Sequence, residues 1–187
     1  ESLGHQLAVP FFNLHDNGLH PAHVGAAAFD GEGTPTKRLC LIGNGTLENL
    51  LHSEATARQF GVHPTGHAGL GAKVSVGPDW FEVSSSKGVS GAASHLDHRN
   101  AADTFVLIES LNALHAGVKA SQGAFSLPFD GWLVKDGERI SVEAATIAGD
   151  IRDVLKGIVH LEPNEVVTHQ GVSPHVWVDG LAITGEA

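Results

Sequence analysis

The sequence predicts an α+β fold that consists mainly of antiparallel sheets, with hairpin–helix units and few helices. Apolar residues alternate with polar neighbours over short runs, as they do in half-buried strands. Two dipeptides, Asn44-Gly45 and Asp136-Gly137, separate such runs and favour the positive φ angles of a two-residue hairpin turn. Because a hairpin joins strands that run in opposite directions, these turns favour antiparallel sheets over a parallel, doubly wound sheet.

The longest of the predicted units lies between residues 124 and 161. An apolar run at residues 131–134 predicts the first strand, and alternation at residues 140–142 predicts the returning strand. From residue 151 the apolar spacing changes to that of a helix, and Asp150 is placed to cap its first turn. The apolar face of this helix is predicted at Ile151, Val154, Leu155, Ile158 and Val159.

A second hairpin–helix unit precedes the long one. Leucines between residues 39 and 51 predict one strand on each side of the Asn44-Gly45 turn. Ser53 then caps a short helix over residues 54–60, which Gly61 ends. The two units share architecture more than sequence.

The remaining strands are predicted to be short. An uninterrupted apolar run predicts a buried strand at residues 105–108. Alternation predicts a last pair of strands, or one bent strand, at residues 176–183, interrupted at Asp179-Gly180. Two further strands are predicted at residues 7–12 and 74–83.

Glycine, proline and small polar residues predict the connections. Residues 84–103, rich in Ser, Gly, Ala and His, predict a polar excursion that is either flexible or weakly helical. The glycine-rich segment 61–73 differs from a phosphate-binding loop, because Ala72 precedes Lys73 and no Ser or Thr follows it directly. Other loops are predicted at residues 29–36 and 162–171.

Length and composition are typical of a soluble globular protein. A chain of 187 residues can bury a sizeable core, and we predict a single domain over residues 1–187. The chain contains no Met, even at its start, so we expect it to be a fragment of a longer protein.

No apolar run approaches the roughly 18 residues of a membrane helix. A formal net charge of −10, without any cluster of Lys or Arg, argues against nucleic-acid binding.

The single cysteine excludes an internal disulfide and a zinc cage built from cysteines. Cys40 lies between Leu39 and Leu41, so we predict a small buried hydrophobe rather than a reactive thiol. These features favour a reducing compartment.

Histidine spacing offers two candidate metal sites, neither of which we favour. His15, His20 and His23 could hold zinc with water in the fourth position, and His95 and His98 could lie on one helical turn. No pair of histidines has the i, i+4 spacing with an adjacent Glu that helical zinc proteases use. Because 13 histidines produce close pairs by chance, we predict no metal ligand.

Other arrangements for catalysis are also weak. No serine lies in a Gly-x-Ser-x-Gly elbow. Asp150 and Asp153 could join Glu143 in acid–base chemistry, but both aspartates lie in a predicted first helical turn, where negative charge is stabilising. We therefore predict no catalytic residue.

Five segments, taken together and in order, resemble the C-terminal domain of the TldD/PmbA family, named as modulators of DNA gyrase. The stretch SLGHQLAVP at residues 2–10 resembles the PmbA (TldE) type more than the TldD type. The five segments are FDGEGTPTKR at 29–38, GNGTLENLLHSEATARQFGVHPTGHA at 43–68, ALHAGVKASQGAFSLPFDGWLVKDGE at 113–138, EAATIAGDIRDVLKGIV at 143–159 and VDGLAITG at 178–185.

The resemblance implies a domain of a zinc metallopeptidase family that forms a cavity wall and a dimer surface for peptide proteolysis. TldD-type members carry His-Glu-x-x-x-His ahead of this region and a Cys ligand near the C-terminus, and no residue here matches either. We therefore expect no cofactor in this chain, with zinc in the rest of the protein or in the partner subunit, and no activity of the chain alone. The expected partners are a TldD/PmbA-type subunit, as a homo- or heterodimer, and a peptide substrate, in the cytoplasm, with neither nucleic acid nor membrane.

The best-matched loops supply candidate substrate-binding residues. Gly66, His67, His115 and Gly117 are predicted to line a groove that holds an extended peptide by backbone hydrogen bonds. A turn or packing role is the alternative for each. Two other functions stay open: a non-catalytic peptide-binding or partner-regulating module, and a self-contained metal hydrolase that uses His15, His20 and His23.

Overall fold

The computed structural model describes residues 2–86 and 104–186, which form thirteen strands and three short helices. Most strand pairs are antiparallel, which confirms the predicted α+β class. The elements are β1 (Phe12–Asn17), β2 (Arg38–Gly43), β3 (Thr46–Leu47), α1 (Glu54–Phe60), β4 (Ala68–Gly69), β5 (Ser75–Val76), β6 (Phe81–Ser85), β7 (Thr104–Leu111), α2 (Leu114–Gly117), β8 (Val118–Lys119), β9 (Ala124–Lys135), β10 (Glu138–Asp150), α3 (Ile151–Gly157), β11 (Ile158–Val167), β12 (Gly171–Val178) and β13 (Ala182–Glu186).

The chain contacts divide into two compact units, and each is described by itself. Unit 1 comprises residues 1–88 and 161–175, and unit 2 comprises residues 89–160 and 176–187. The single domain expected over residues 1–187 stays a prediction. Of the predicted excursion at 84–103, the first two residues end β6, and residues 87–103 lie outside the described residues. No helix in the described ranges is long and apolar enough to cross a membrane.

Unit 1 contains a sheet in which β1 is a central strand. The strand order is β11-β12-β6-β1-β2-β3, to which β11 and β12 contribute their residues 161–167 and 171–175. β1 pairs antiparallel with both β2 and β6, whereas β12 runs parallel to β6. The buried apolar core of this unit consists of Ala8, Phe12, Leu39, Leu41, Ile42, Ala57, Ala68, Trp80, Leu161 and Val172.

The turn and the helix of the first hairpin–helix unit form as predicted, but its second strand, β3, ends at Leu47 and does not reach Leu50 and Leu51. Asn44 and Gly45 have φ angles of 49° and 80°, so both central residues of the β2–β3 turn are left-handed. Ser53 caps α1 by accepting a hydrogen bond from the backbone of Thr56, and Gly61 ends the helix with φ at 67°. Local chemistry therefore specifies the turn and the helix of this unit.

Unit 2 is organised around the long β9–β10 hairpin. The sheet order is β13-β10-β9-β7, and β8 also pairs with β9. The turn is the predicted one, with φ angles of 52° at Asp136 and 80° at Gly137. The core of this sheet consists of the buried residues Leu127, Phe129, Ala145 and Ile147.

The segment after the hairpin corrects two predictions. Asp150 caps α3 as expected, but the helix ends at Gly157, because Ile158 already has the extended angles φ −63° and ψ 118°. Ile158 begins β11, which continues to Val167, so the predicted loop at 162–171 is wrong over most of its length. No residue of α3 is buried, and the predicted apolar helix face therefore forms no core. Ile158 and Leu161, both buried, lie instead on this strand.

Three strand predictions also change. The strand expected at 7–12 begins only at Phe12, because residues before it form bends and turns. The strand expected at 74–83 is divided into β5 and β6, since the chain leaves the extended conformation between them. β7 contains the expected strand at 105–108, but its residues are at most half-buried, because β7 is an edge strand within the described sheet.

Candidate functional site

A pocket of about 410 Å³ lies in unit 1. That size is within the range of small-molecule and peptide side-chain sites. Its walls come from the chain before β2, from the β4–β5 ribbon and from the segment that precedes β6. Its lining residues include Gly18, His23, Phe29, Asp30, His67, Gly69, Leu70, Gly77 and Asp79.

Two exposed apolar side chains line the pocket. The side chains of Phe29 and Leu70 are 59% and 71% exposed. Two large apolar side chains at one opening offer contacts to an apolar ligand group.

Much of the wall is backbone, because five lining residues have no side chain. At Gly77 a Cβ atom would meet nothing within 4 Å, so that position faces open space. The five are Gly18, Gly25, Gly31, Gly69 and Gly77.

Asp30 fixes one wall by accepting three backbone hydrogen bonds. Its Oδ1 accepts from the N–H groups of Glu32 and Thr34, each at 2.9 Å, and its Oδ2 accepts from Ala68 N–H at 3.0 Å. Burial raises the pKa of Asp30, but the three hydrogen bonds outweigh it, and the net pKa is below the ordinary value. The carboxylate thus stays charged and ties the loop at 30–34 to β4.

Two histidines pack on the indole ring of Trp80, which is buried. The rings of His20 and Trp80 have centroids 4.2 Å apart, and those of His23 and Trp80 are 5.9 Å apart. His23 Nδ1 also lies 3.1 Å from the carbonyl oxygen of Gly18. These contacts give both histidines a packing role at the base of the pocket.

Asp16 and His67 form a buried pair below the pocket. His67 Nε2 lies 3.3 Å from Asp16 Oδ1, and neither side chain is exposed to solvent. Asp16 Oδ2 accepts a hydrogen bond from Asp79 N–H at 2.9 Å, and Asp16 Oδ1 lies 3.5 Å from Trp80 N–H. Asp16 is thus held by the backbone of the segment that enters β6.

Thr65 determines which nitrogen of His67 carries the hydrogen. Thr65 Oγ1 accepts from His52 N–H at 2.7 Å and donates its single hydrogen to the carbonyl oxygen of His52 at 3.1 Å. His67 Nδ1 lies 2.9 Å from Thr65 Oγ1, and we assign the hydrogen of the neutral ring to Nδ1, because Thr65 Oγ1 then accepts it while donating its own hydrogen to His52. In the neutral ring, Nε2 then presents a lone pair toward Asp16.

Asp79, whose side chain is exposed, is the third residue that lies close to Asp16 and His67. Burial and the Asp16 carboxylate raise the pKa of Asp79, against the opposing influence of His67 and His23. Ligand atoms of Asp16, His67 and Asp79 all lie within 4.8 Å of one another. A Cβ atom at Gly18 would lie 2.6 Å from Asp79 Oδ2, so glycine is needed there to leave room for this carboxylate.

The sequence reasoning identified His67 but missed both aspartates. Asp16 and Asp79 are 63 positions apart, and the β1–β6 pairing, which sets Asp16 opposite Phe81, brings them together. No local sequence pattern predicts that Asp16 and Asp79 are close in space.

The structure places the four predicted substrate-binding residues in two units. Gly66 has φ at 83°, and a Cβ atom there would lie 2.5 Å from the carbonyl oxygen of Pro35, so this glycine has a packing role. His67 lines the pocket. His115 is exposed on α2 in unit 2.

Gly117, also on α2, has a packing reason to be glycine, because a Cβ atom there would lie 2.3 Å from the carbonyl oxygen of Ser126. Gly66 and His67 therefore lie together in unit 1, and His115 and Gly117 lie together on α2 in unit 2. A role of the four residues in binding peptide stays a prediction.

The alternative histidine sites do not assemble in the described part of the chain. His15, His20 and His23 are not brought together as a ligand set there. Burial and the charge of Arg38 lower the pKa of His15, which keeps its ring neutral on β1. His95 and His98 lie outside the described residues.

Comparison with known proteins identifies the family. Residues 1–185 match the family described as the PmbA/TldA metallopeptidase C-terminal domain. The chain belongs to this family. The resemblance found in the sequence is thereby confirmed, and the antiparallel hairpin units described above are those of a PmbA/TldD C-terminal domain.

Two curated relatives are bacterial PmbA proteins. The metalloprotease PmbA of Escherichia coli O157:H7 is 26% identical over 173 residues, which are 92% of this chain and 35% of that protein. The metalloprotease PmbA homologue of Haemophilus influenzae is 25% identical over 160 residues, which are 85% of this chain and 33% of that protein. The chain thus spans about a third of the length of the curated relatives it matches.

Solved structures show the same fold. A candidate modulator of a DNA gyrase from Thermotoga maritima superposes with a TM-score of 0.84 at 32% identity, covering 98% of this chain and 41% of that one. TldE from Thermococcus kodakarensis superposes with a TM-score of 0.80 at 21% identity, covering 98% of this chain and 42% of that one, a likeness in fold alone.

The zinc site implied for TldD-type members does not fit these residues. The 187-residue sequence contains no His-Glu-x-x-x-His, and its only cysteine, Cys40, lies on β2. Burial and the carboxylate of Glu48 raise the pKa of the Cys40 thiol to about 11, which disfavours the thiolate that zinc requires.

Proposed function

We propose that this PmbA/TldD C-terminal domain binds an extended peptide in the pocket of unit 1 and so forms a wall of the cavity in which peptides are cleaved. The observation that carries the proposal is the composition of this pocket, in which two exposed apolar side chains lie beside a wall that is largely backbone. Peptides in an extended conformation need both, since backbone hydrogen bonds give affinity and side-chain contacts give selection.

The β4–β5 ribbon supports a binding mode of this kind. Ala68 pairs with Val76 and Gly69 with Ser75, so the ribbon is only two strands wide in the described residues. A strand at the edge of a sheet has unpaired N–H and C=O groups along one side. On β4, the N–H and C=O groups of Ala68 are already bonded to Asp30 Oδ2 and Gly31 N–H, so a peptide would add along β5, beside Ser75, which lines the pocket.

Catalysis would come from another part of the assembly. We expect the cleaving centre, with its zinc, in the remainder of the protein or in a TldD/PmbA-type partner subunit, and no proteolysis by this chain alone. Exposed apolar residues near α2, namely Leu111, Leu114 and Val118, support a contact surface for dimerisation. The net charge of −10 supports a peptide rather than DNA as the ligand.

The test is peptide binding by the 187-residue chain, measured by the fluorescence anisotropy of a labelled, unstructured ten-residue peptide rich in apolar residues. We expect saturable binding that Phe29→Ala and Leu70→Ala each weaken. Phe60→Ala is the matched control, because Phe60 is 66% exposed in the same unit but does not line the pocket. Absence of binding, or equal losses in all three variants, would contradict the proposal.

A second candidate is a non-catalytic module that binds peptides or regulates a partner. The same pocket would serve such a module, because its exposed apolar side chains and backbone wall can contact a peptide without any catalytic group. Peptide turnover by a TldD-type subunit distinguishes the two. If addition of this chain raises turnover and Leu70→Ala removes the increase, the cavity-wall role is supported. If the chain binds peptide while turnover stays unchanged or falls, the regulatory role replaces it.

A further inference from the structure

We propose that Asp16, His67 and Asp79 form a divalent metal site at the base of the pocket, which takes zinc and leaves one coordination position open. The site uses none of the residues of the His-Glu-x-x-x-His motif. It is independent of the peptide-binding proposal, because it depends only on side chains that converge in unit 1.

The first argument is the state of His67. This residue is 2% exposed, and its Nε2 is buried without a hydrogen-bond partner. With the hydrogen of the neutral ring assigned to Nδ1, which contacts Thr65 Oγ1, Nε2 has a free lone pair 3.3 Å from a carboxylate oxygen of Asp16. Two acceptors facing each other in a buried place repel unless a cation lies between them.

The second argument is charge. Asp16 is fully buried, and Asp79 brings a second carboxylate to the same place. Among the residues that the structure describes, no lysine or arginine is ion-paired with either carboxylate. A divalent cation would compensate both negative charges, whereas protonation of His67 would compensate only one.

The third argument is the type of the three ligand atoms and the hydrogen bonds that orient them. One imidazole nitrogen and two carboxylate oxygens suit zinc, and three protein ligands leave the fourth position of a tetrahedral ion for water or substrate. The other nitrogen of a metal-bound histidine is normally oriented by a hydrogen bond, as Thr65 does for His67. Asp16 is likewise oriented, by Asp79 N–H.

The fourth argument is access. His67 and Asp79 both line the pocket, and Asp79 is exposed. An ion can therefore enter from solvent through the pocket, and its open position faces the space in which a ligand would lie. A carboxylate or carbonyl oxygen would be the ligand group of choice at that position.

The experiment is calorimetric titration of the EDTA-treated, dialysed 187-residue chain with zinc chloride at neutral pH. We expect one zinc ion per chain and a rise in melting temperature with zinc. Asp79→Asn should lower the zinc affinity at least about tenfold. This variant should fold, because its side chain is exposed and its backbone N–H still bonds Asp16.

His63→Ala is the matched control, because His63 is exposed and lies four residues before His67 outside the ligand group. It should bind zinc like the natural chain. Cobalt substitution adds a readout, since a tetrahedral site with a histidine ligand gives visible absorption that Asp79→Asn should diminish. If the natural chain binds no zinc, or if Asp79→Asn and His63→Ala bind it equally well, Asp16 and His67 form an ion pair only and the proposal fails.

Discussion

Arg38 and Glu82 form an ion pair with two hydrogen bonds across the central strand of the unit 1 sheet. Arg38 Nε lies 3.0 Å from Glu82 Oε2, and Arg38 Nη2 lies 2.8 Å from Glu82 Oε1. The two residues belong to β2 and β6, which flank β1, and Asn17 of β1 donates a further hydrogen bond to Glu82 Oε2 at 3.1 Å. One carboxylate thus connects three adjacent strands.

We predict that Glu82→Gln lowers the free energy of unfolding of unit 1 by about 1 kcal/mol at pH 7. An arginine–carboxylate pair with two hydrogen bonds contributes a stabilisation at the upper end of the range for partly exposed ion pairs. The hydrogen bond from Arg38 lowers the pKa of Glu82 in the folded state. The stabilisation is therefore present above the ordinary pKa of a glutamate and is lost as pH falls through the lowered value.

Urea unfolding at pH 7 and in acid would measure the difference, which should shrink in acid. Glu54→Gln is the control, because Glu54 forms a longer, more exposed pair with Arg58 at 3.4 Å and should change stability by less than about 0.5 kcal/mol. Equal effects of the two substitutions would show that the hydrogen bonds of Glu82 to neighbouring strands add nothing to the free energy of unfolding.

The elements predicted correctly from the sequence are those fixed by local chemistry. The turns at Asn44-Gly45 and Asp136-Gly137 require left-handed backbone that only a few residue types adopt easily. Ser53 and Gly61 bound α1 for similarly local reasons. Neither case depends on what lies elsewhere in the chain.

The elements predicted wrongly depend on distant partners. Ile158 continues the apolar spacing of a helix and also fits a strand, and its burial as the first residue of β11 decides between them. The meeting of Asp16 with His67 and Asp79 follows from strand pairing between β1 and β6, which has no local signature. Long-range pairing therefore sets both the end of α3 and the candidate site.

Gly45 allows a test of backbone strain together with close packing. Its φ is 80°, and a Cβ atom would lie 2.4 Å from the carbonyl oxygen of Ala8. We predict that Gly45→Ala lowers the free energy of unfolding by at least about 2 kcal/mol, because left-handed strain and a backbone clash add together.

The control for this substitution is Gly33→Ala, also in unit 1. Gly33 has φ at 83°, but a Cβ atom there would meet nothing within 4 Å, so the cost is limited to about 1 kcal/mol of strain. Both variants would be compared by urea unfolding. Equal losses would mean that the turn moves away from Ala8 at little cost.

Cys40 should react slowly in the folded chain. Burial, the hydrogen bond with Glu48 and its charge raise the pKa of the thiol from 9.0 to about 11, which reduces the thiolate fraction at pH 8 roughly a hundredfold. The remaining thiolate is intrinsically more nucleophilic, so we predict alkylation by iodoacetamide about tenfold slower than in the urea-unfolded chain.

Glu48→Gln should accelerate this alkylation in the folded chain, because it removes the neighbouring negative charge. Glu54→Gln, at a carboxylate remote from the thiol, should leave the rate unchanged. Alkylation at the same rate in folded and unfolded chains would contradict the raised pKa.

Asp150 should make the stability of unit 2 depend on pH in acid. The side-chain hydrogen bond from Arg152 and then the backbone hydrogen bond from the same residue lower the pKa of Asp150 to about 2 in the folded state, from an ordinary value of 3.8. A lowered folded-state pKa means that the charged carboxylate stabilises the fold above pH 3.8 and that this contribution is lost as pH falls toward about 2.

Asp150→Asn keeps an amide oxygen that can cap α3 but removes the titrating charge. Thermal unfolding followed by circular dichroism across this pH range should therefore show a steeper fall in melting temperature for the natural chain than for the variant. Ser141→Ala, on the β10 strand away from the cap, is the control and should titrate like the natural chain; parallel curves for all three proteins would assign the acid sensitivity to other carboxylates.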